Sequence, residues 1–138
     1  MAYDTNNIFA RILRGELPKI AVYEDDLTLA FLDIMPATDG HTLVIPKEAA
    51  ATIHDVSPEG AAATIRTTQK VAAAVKKAFA APGIMLVQLN GAEAGQSVPH
   101  LHFHILPRAH GLDMTMHGRA MADPKTLAPI AEKIRAAL

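Results

Sequence analysis

Histidine recurs at every second position in His100-Leu101-His102-Phe103-His104, and Leu101, Phe103 and Ile105 fill the alternate positions. Strict alternation over this length predicts a β-strand, whose side chains repeat with period two. The three imidazoles would then share one face while the apolar three enter the core. Grouped imidazoles are poor packing material, because each ring nitrogen needs a partner once it leaves water. A chance run of histidines on a solvated strand is the weaker explanation.

Two kinds of chemistry suit such a strand. His-x-His can hold zinc when a third ligand completes an open site. The one acidic residue in the strand or the loop before it is Glu93, and the chain has no cysteine, so a third ligand would have to come from elsewhere. The other chemistry is nucleophilic attack at phosphorus. Imidazole is a good nucleophile when neutral, and its unperturbed pKa of about 6.5 leaves much of it neutral at pH 7. The loop Gly91 to Ser97 offers glycines, backbone N–H groups and a hydroxyl just before the strand. Such a turn can cradle phosphate oxygens without a lysine.

The elements that must position this strand follow from periodicity and punctuation. Asp4 or Thr5 is expected to cap a short helix carrying Ile8, Phe9, Ile12 and Leu13, with Gly15 as its stop. Val22 to Glu24, an Asp25-Asp26 turn and Leu27 to Ile34 predict a hairpin. Leu27, Leu29, Phe31 and Asp33 share a face of its second strand. An acid ending an apolar row either caps the next turn or grips a ligand hydroxyl. His41 to Pro46 predicts a short buried strand, and its leading histidine has no assigned role on this pattern alone. Ser57-Pro58-Glu59 starts the long helix, with Ile65, Ala72, Val75 and Phe79 as the apolar stripe and Arg66, Lys70, Lys76 and Lys77 on a solvated face. Ile84 to Leu89 is expected to be central in the sheet, and Asp123-Pro124 opens a last helix with Leu127, Ile130, Ile134 and Leu138 in one stripe. Strands joined mostly as hairpins point to an α+β fold built on an antiparallel sheet.

With 138 residues, half of them hydrophobic and 20% charged, the chain is expected to form one soluble domain over 1–138. A net charge of -1 gives no basic field for nucleic acid or anionic lipid, so neither is expected as a partner. Without cysteine there is no disulfide framework and no thiolate chemistry. Met1 to Leu13 lacks the basic start and apolar run of a signal peptide, and no segment approaches the roughly 20 apolar residues of a membrane span. A cytoplasmic protein is expected.

The residues from His100 to Leu106 resemble the His-φ-His-φ-His-φ-φ signature of the histidine-triad (HIT) superfamily. The loop Ala94-Gly95-Gln96-Ser97-Val98 and the block Gly40-His41-Thr42-Leu43-Val44-Ile45-Pro46-Lys47 resemble its bacterial, Hint-like branch, as do Gly15 to Pro18 and Ala30 to Ile34. The resemblance implies a HIT-like fold of about five antiparallel strands with one long helix and short terminal helices, paired into a homodimer with one continuous sheet. It also implies a nucleotide hydrolase or nucleotidyl transferase acting at the α-phosphate of adenosine (purine) 5′-phosphoramidates or related nucleotides.

In that reading His102 is the nucleophile, and His100 and His104 bond the phosphate oxygens and orient it. His41 joins their network, and Asp33 grips the ribose hydroxyls with Ile34 beside it. Ser97 and the amides of Gly95 and Gln96 contact phosphate or the leaving group, and Asn90 lines the same pocket. The ligand is then an AMP-like purine nucleotide, with no cofactor. A dinucleoside polyphosphate hydrolase of the fragile-histidine-triad type, or a nucleotide-binding interaction protein with incidental catalysis, remains the alternative. The chain departs from many bacterial relatives where they carry ligands associated with structural zinc: it has Asn7, Ala10 and Ala49 there, so no metal is expected. The segment from His110 to Asp123, with Met114, Met116 and Met121, matches the family poorly. His110 and His117 read as surface residues.

Overall fold

The computed structural model describes residues 2–138 apart from Leu112, Asp113, Met116 and Arg119, so the expectation for Met116 lies outside the described residues. Five antiparallel strands form one sheet: β1 (Ala21–Glu24), β2 (Thr28–Leu32), β3 (Thr42–Pro46), β4 (Gly83–Gln88) and β5 (Phe103–Arg108). Their order is β1-β2-β3-β5-β4. Three α-helices complete the α+β architecture: α1 (Ile8–Leu13), α2 (Pro58–Ala78) and α3 (Pro124–Ala136). This is the α+β fold that the strand pattern predicted, in the HIT-like form that the resemblance implied. No helix among the described residues is long and apolar enough to cross a membrane.

Alternation along the strands separates two faces. Ala30, Leu32, Val44 and Ile105 point to one, where Val71, Ala74 and Val75 of α2 and Leu127, Ala131 and Ile134 of α3 cover them. Leu29, Phe31, Leu43 and Ile45 point to the other, under Phe9 and Ile12 of α1. The ladder of β2 and β3 pairs Leu32 with Thr42, and that of β3 and β5 pairs Leu43 with His104. Asp33, His41 and His104 therefore meet beyond the end of the α1-covered face.

Several elements differ from the sequence reading. The first helix is capped by Asn7, not Asp4 or Thr5, and its Oδ1 accepts the Ala10 N–H at 2.9 Å. The inward stripe of α2 is Thr64, Thr67, Thr68, Val71 and Val75, while Ile65 is 47% exposed. Buried hydroxyls are tolerated there because Thr64 and Thr68 donate to helix carbonyls one turn back and Thr67 bonds Thr28. The Ile84 run is the edge strand β4, not a central one. A continuous apolar run signals burial on both faces, yet Leu86 is 47% exposed beside Ile65.

Candidate active site

The histidine strand begins later than alternation suggests. Pro46 has no N–H to give the ladder, and the pairing of β3 with β5 stops at Val44 and Phe103. Residues 100–102 leave the sheet and are tied down otherwise: the Leu101 N–H donates to the Ala50 carbonyl at 2.8 Å. Leu101 and Ile105 are buried in the core as expected, and Phe103 partly so.

Backbone groups fix the tautomers of His41 and His102 directly, and that of His104 through His41. His41, 1% exposed, accepts the Ala37 N–H through Nδ1 at 3.0 Å. A neutral imidazole accepting at Nδ1 carries its proton on Nε2. That Nε2 lies 2.9 Å from Nδ1 of His104 and 3.5 Å from Oδ2 of Asp33, so it donates to His104. His104 must then hold its own proton on Nε2, a buried atom with no hydrogen-bond partner among the described residues. His102 has the opposite arrangement. Its Nδ1 is 2.7 Å from the His100 carbonyl, and because a carbonyl can only accept, Nδ1 is the protonated nitrogen and Nε2 keeps its lone pair. Phe9 packs edge-on to that ring at 5.0 Å, and His104 lies 4.9 Å from it. The cluster thus pairs a nucleophilic nitrogen on His102 with a hydrogen-bond donor on His104.

The ring of His100 is turned away from this pair. Its Nε2 donates to the Pro46 carbonyl at 2.8 Å, and its Nδ1 accepts the hydroxyl of Tyr3. Its contribution to the cluster is the carbonyl that holds His102. Tyr3 has no local sequence signal that would have identified it.

Electrostatics favour neutral rings throughout. Burial drives His41 and His102 down to about 4 and His104 down to about 3, with the neighbouring imidazoles adding to the effect for His104. Burial also lowers His100, against the opposing bond to Pro46. Burial raises the Asp33 carboxyl, partly offset by the Met35 N–H that its Oδ1 accepts at 2.8 Å. Asp33 therefore does cap its turn, as one reading had it, while Oδ2 stays on the side of the histidines.

A cavity of about 400 Å³ opens over the cluster. Its lining combines apolar Ile8, Phe9, Ile12, Phe31 and Leu43 with polar Asp33, Ser97, His102, His104 and His117. That mixture suits a ligand with a flat apolar ring and a polar, reactive end. Ile34 lines the cavity at 46% exposure. Asn90, Gly95 and Gln96 serve the loop instead. Asn90 bonds the Ile53 N–H and the Gln88 amide, while the Gln96 side chain bonds Gly91, Ala51 and Val98. The amides of Gly95 and Gln96 donate to Ala92 and Gly91, so what the loop presents to the cavity is Ser97 and Val98. His117 is exposed, as expected, yet its ring lies 5.6 Å from that of His104 and belongs to the cavity wall. His110 lines a separate groove with Phe79 and Arg108.

Among the described residues, two positions could be considered for a metal, and neither suits one. Asn7 is the helix cap, Ala10 and Ala49 have no donor, and both nitrogens of His100 are engaged, which leaves no ligand set for structural zinc. Asp33, His41 and His104 lie within 4.8 Å of one another. A metal on Nε2 of His41 would displace the proton that the Ala37 N–H fixes there, leaving that ring an imidazolate.

The chain is similar over its full length, and over the full length of the other, to the crystal structure of a Hit-like protein from Bartonella henselae, at 48% identity and a TM-score of 0.93. It is 44% identical over 101 residues to the adenosine 5′-monophosphoramidase of Schizosaccharomyces pombe, covering 73% of each chain. An adenylylsulfatase from Arabidopsis thaliana is 40% identical over 101 residues, which span 73% of this chain and 51% of that one. The sequence model described as the HIT domain matches residues 14–111, and with these matches the chain belongs to the HIT family.

Proposed function

We propose that the protein is a nucleotide hydrolase or nucleotidyl transferase acting at the α-phosphate of adenosine or other purine 5′-phosphoramidates. The observation that carries this reading is the opposed pair of tautomers: a lone pair on His102 Nε2 beside an N–H on His104 Nε2. The base occupies the apolar end of the cavity and the ribose hydroxyls meet Asp33. His102 attacks phosphorus in line with the leaving group, giving a nucleotidyl-histidine that water then cleaves. The N–H of His104 and the hydroxyl of Ser97 stabilise charge on the phosphoryl oxygens as it develops. His41 and the His100 carbonyl act one step back, holding the two rings in the tautomers the reaction needs.

The names of the phosphoramidase and adenylylsulfatase relatives support this substrate class. We further propose that residues 1–138 act as one domain, in the cytoplasm, and that two copies pair along β4. The exposed Leu86 and Ile65 supply an apolar seam there. Steady-state rates on an adenosine 5′-phosphoramidate and on diadenosine polyphosphates test the assignment. Preference for the phosphoramidate is expected, preference for the polyphosphates would move the protein to the fragile-histidine-triad activity, and turnover of neither would leave a nucleotide-binding role.

A further inference from the structure

The four buried imidazoles leave the site short of one thing. His41 and His102 are pushed down to about 4 and His104 to about 3, and His100 is lowered as well, so none of them brings a proton to a departing amine at neutral pH. We propose that His117 is the general acid for the leaving group. The inference rests on the hydrolase reading above and adds a residue from the segment after β5.

Geometry supports the role. The N–H of Gly118 donates to the Met35 carbonyl and that of Ala122 to the Ile34 carbonyl, each at 2.8 Å. These bonds dock Gly118 and Ala122 along the loop that follows Asp33. The approach at Gly118 is close: a Cβ there would lie 2.2 Å from the Pro36 carbonyl oxygen. So pinned, His117 stands in the cavity wall with its ring 5.6 Å from His104 and at 74° to it. Among the described residues, Asp33, His41, His102 and His104 are ionisable groups that act on it electrostatically. It is the exposed imidazole of the group, and an exposed imidazole can exchange protons with water in every cycle.

The chemistry balances. The lone pair of His102 Nε2 forms a bond to phosphorus as the bond from phosphorus to the amine nitrogen breaks. That nitrogen keeps the bonding pair and takes the proton of the His117 imidazolium, leaving as neutral amine. Water then adds to phosphorus and gives up one proton to solvent, the phosphorus–His102 pair returns to Nε2, and His117 regains its proton from solvent. The net reaction consumes one water, gives the nucleoside monophosphate and amine, and restores both histidines.

The test is leaving-group dependence in His117→Gln and His117→Ala. General acid catalysis contributes roughly 10²- to 10⁴-fold, so kcat on an adenosine 5′-alkylphosphoramidate should fall by about that factor. Turnover of adenosine 5′-phosphosulfate, whose sulfate departs without a proton, should stay within about tenfold. AMP affinity, measured by calorimetry, should not change. Added imidazole should restore part of the lost rate in proportion to its protonated fraction. Equal losses on both substrates, or no loss on either, would overturn the assignment while leaving the hydrolase reading intact. Wild-type protein that turns over neither substrate would overturn the hydrolase reading, and this inference with it.

Discussion

Two substitutions at His41 can separate catalysis from stability, because its two nitrogens have different tasks. Glutamine places an amide near the position of Nε2 and can still donate to His104, but nothing then accepts the Ala37 N–H. Asparagine reaches only as far as Nδ1, so it keeps the Ala37 bond and loses the donor to His104. Each variant leaves one buried or half-buried polar group without a partner, which costs about 1–3 kcal/mol. For a chain of this size that is a fall in Tm of roughly 3–5 °C per kcal/mol, similar in the two variants. Activity should diverge. His41→Gln keeps the donor that sets the His104 tautomer, so its kcat should stay within about tenfold of wild type. His41→Asn instead frees His104 to move its proton to Nδ1. Loss of one preorganised donor to the phosphoryl group removes about 3–4 kcal/mol of transition-state stabilisation, or a 10²- to 10³-fold fall in kcat. Nitrogen-15 NMR checks the cause directly: the wild type should show His104 protonated at Nε2, and His41→Asn should show loss of that preference. Equal kcat losses in the two variants, or a wild-type His104 protonated at Nδ1, would refute the proton chain.

The remaining predictions concern the nucleophile, acid stability and assembly. His102→Ala should bind AMP but lose turnover by several orders of magnitude, and only the wild type should trap an acid-labile nucleotide adduct, seen by mass spectrometry. Because His41, His102 and His104 titrate near 3 to 4 when folded and near about 6.5 when unfolded, the unfolded chain binds more protons between those values. Their contribution to stability is therefore complete above about pH 6.5 and lost as the pH falls, by up to about 1.4 kcal/mol per pH unit for each group. Urea titrations from pH 7 to 4 should show this slope, and a flat profile would contradict neutral burial of the rings. Leu86→Glu on the edge strand should convert a dimer to a monomer by light scattering, with the fold retained by circular dichroism.

What the sequence made legible was alternation and punctuation, and what it hid was anything that depended on a distant partner. The strands (apart from the late start of β5), the Ser57 cap and the Asp123 cap are local, so spacing alone was enough to find them. The inward face of α2 was misread because threonine counts as polar, and only the helix itself shows that Thr64 and Thr68 bond carbonyls one turn back. The edge position of β4 was equally invisible, since an apolar run looks the same whether its own core or another copy covers it. At the site, spacing rightly grouped the histidines but could not say where each ring points. His100 belongs to the repeat, yet Tyr3 and Pro46 hold its ring away from the cavity. His117 lies outside the repeat, yet the docking of Gly118 against the loop after Asp33 brings it to the cavity wall. A repeat of histidines therefore gathers imidazoles in one region, while the direction and tautomer of each ring are set largely by backbone carbonyls and amides. Those groups are present at nearly every residue, so composition and motif carry no trace of which ones are used.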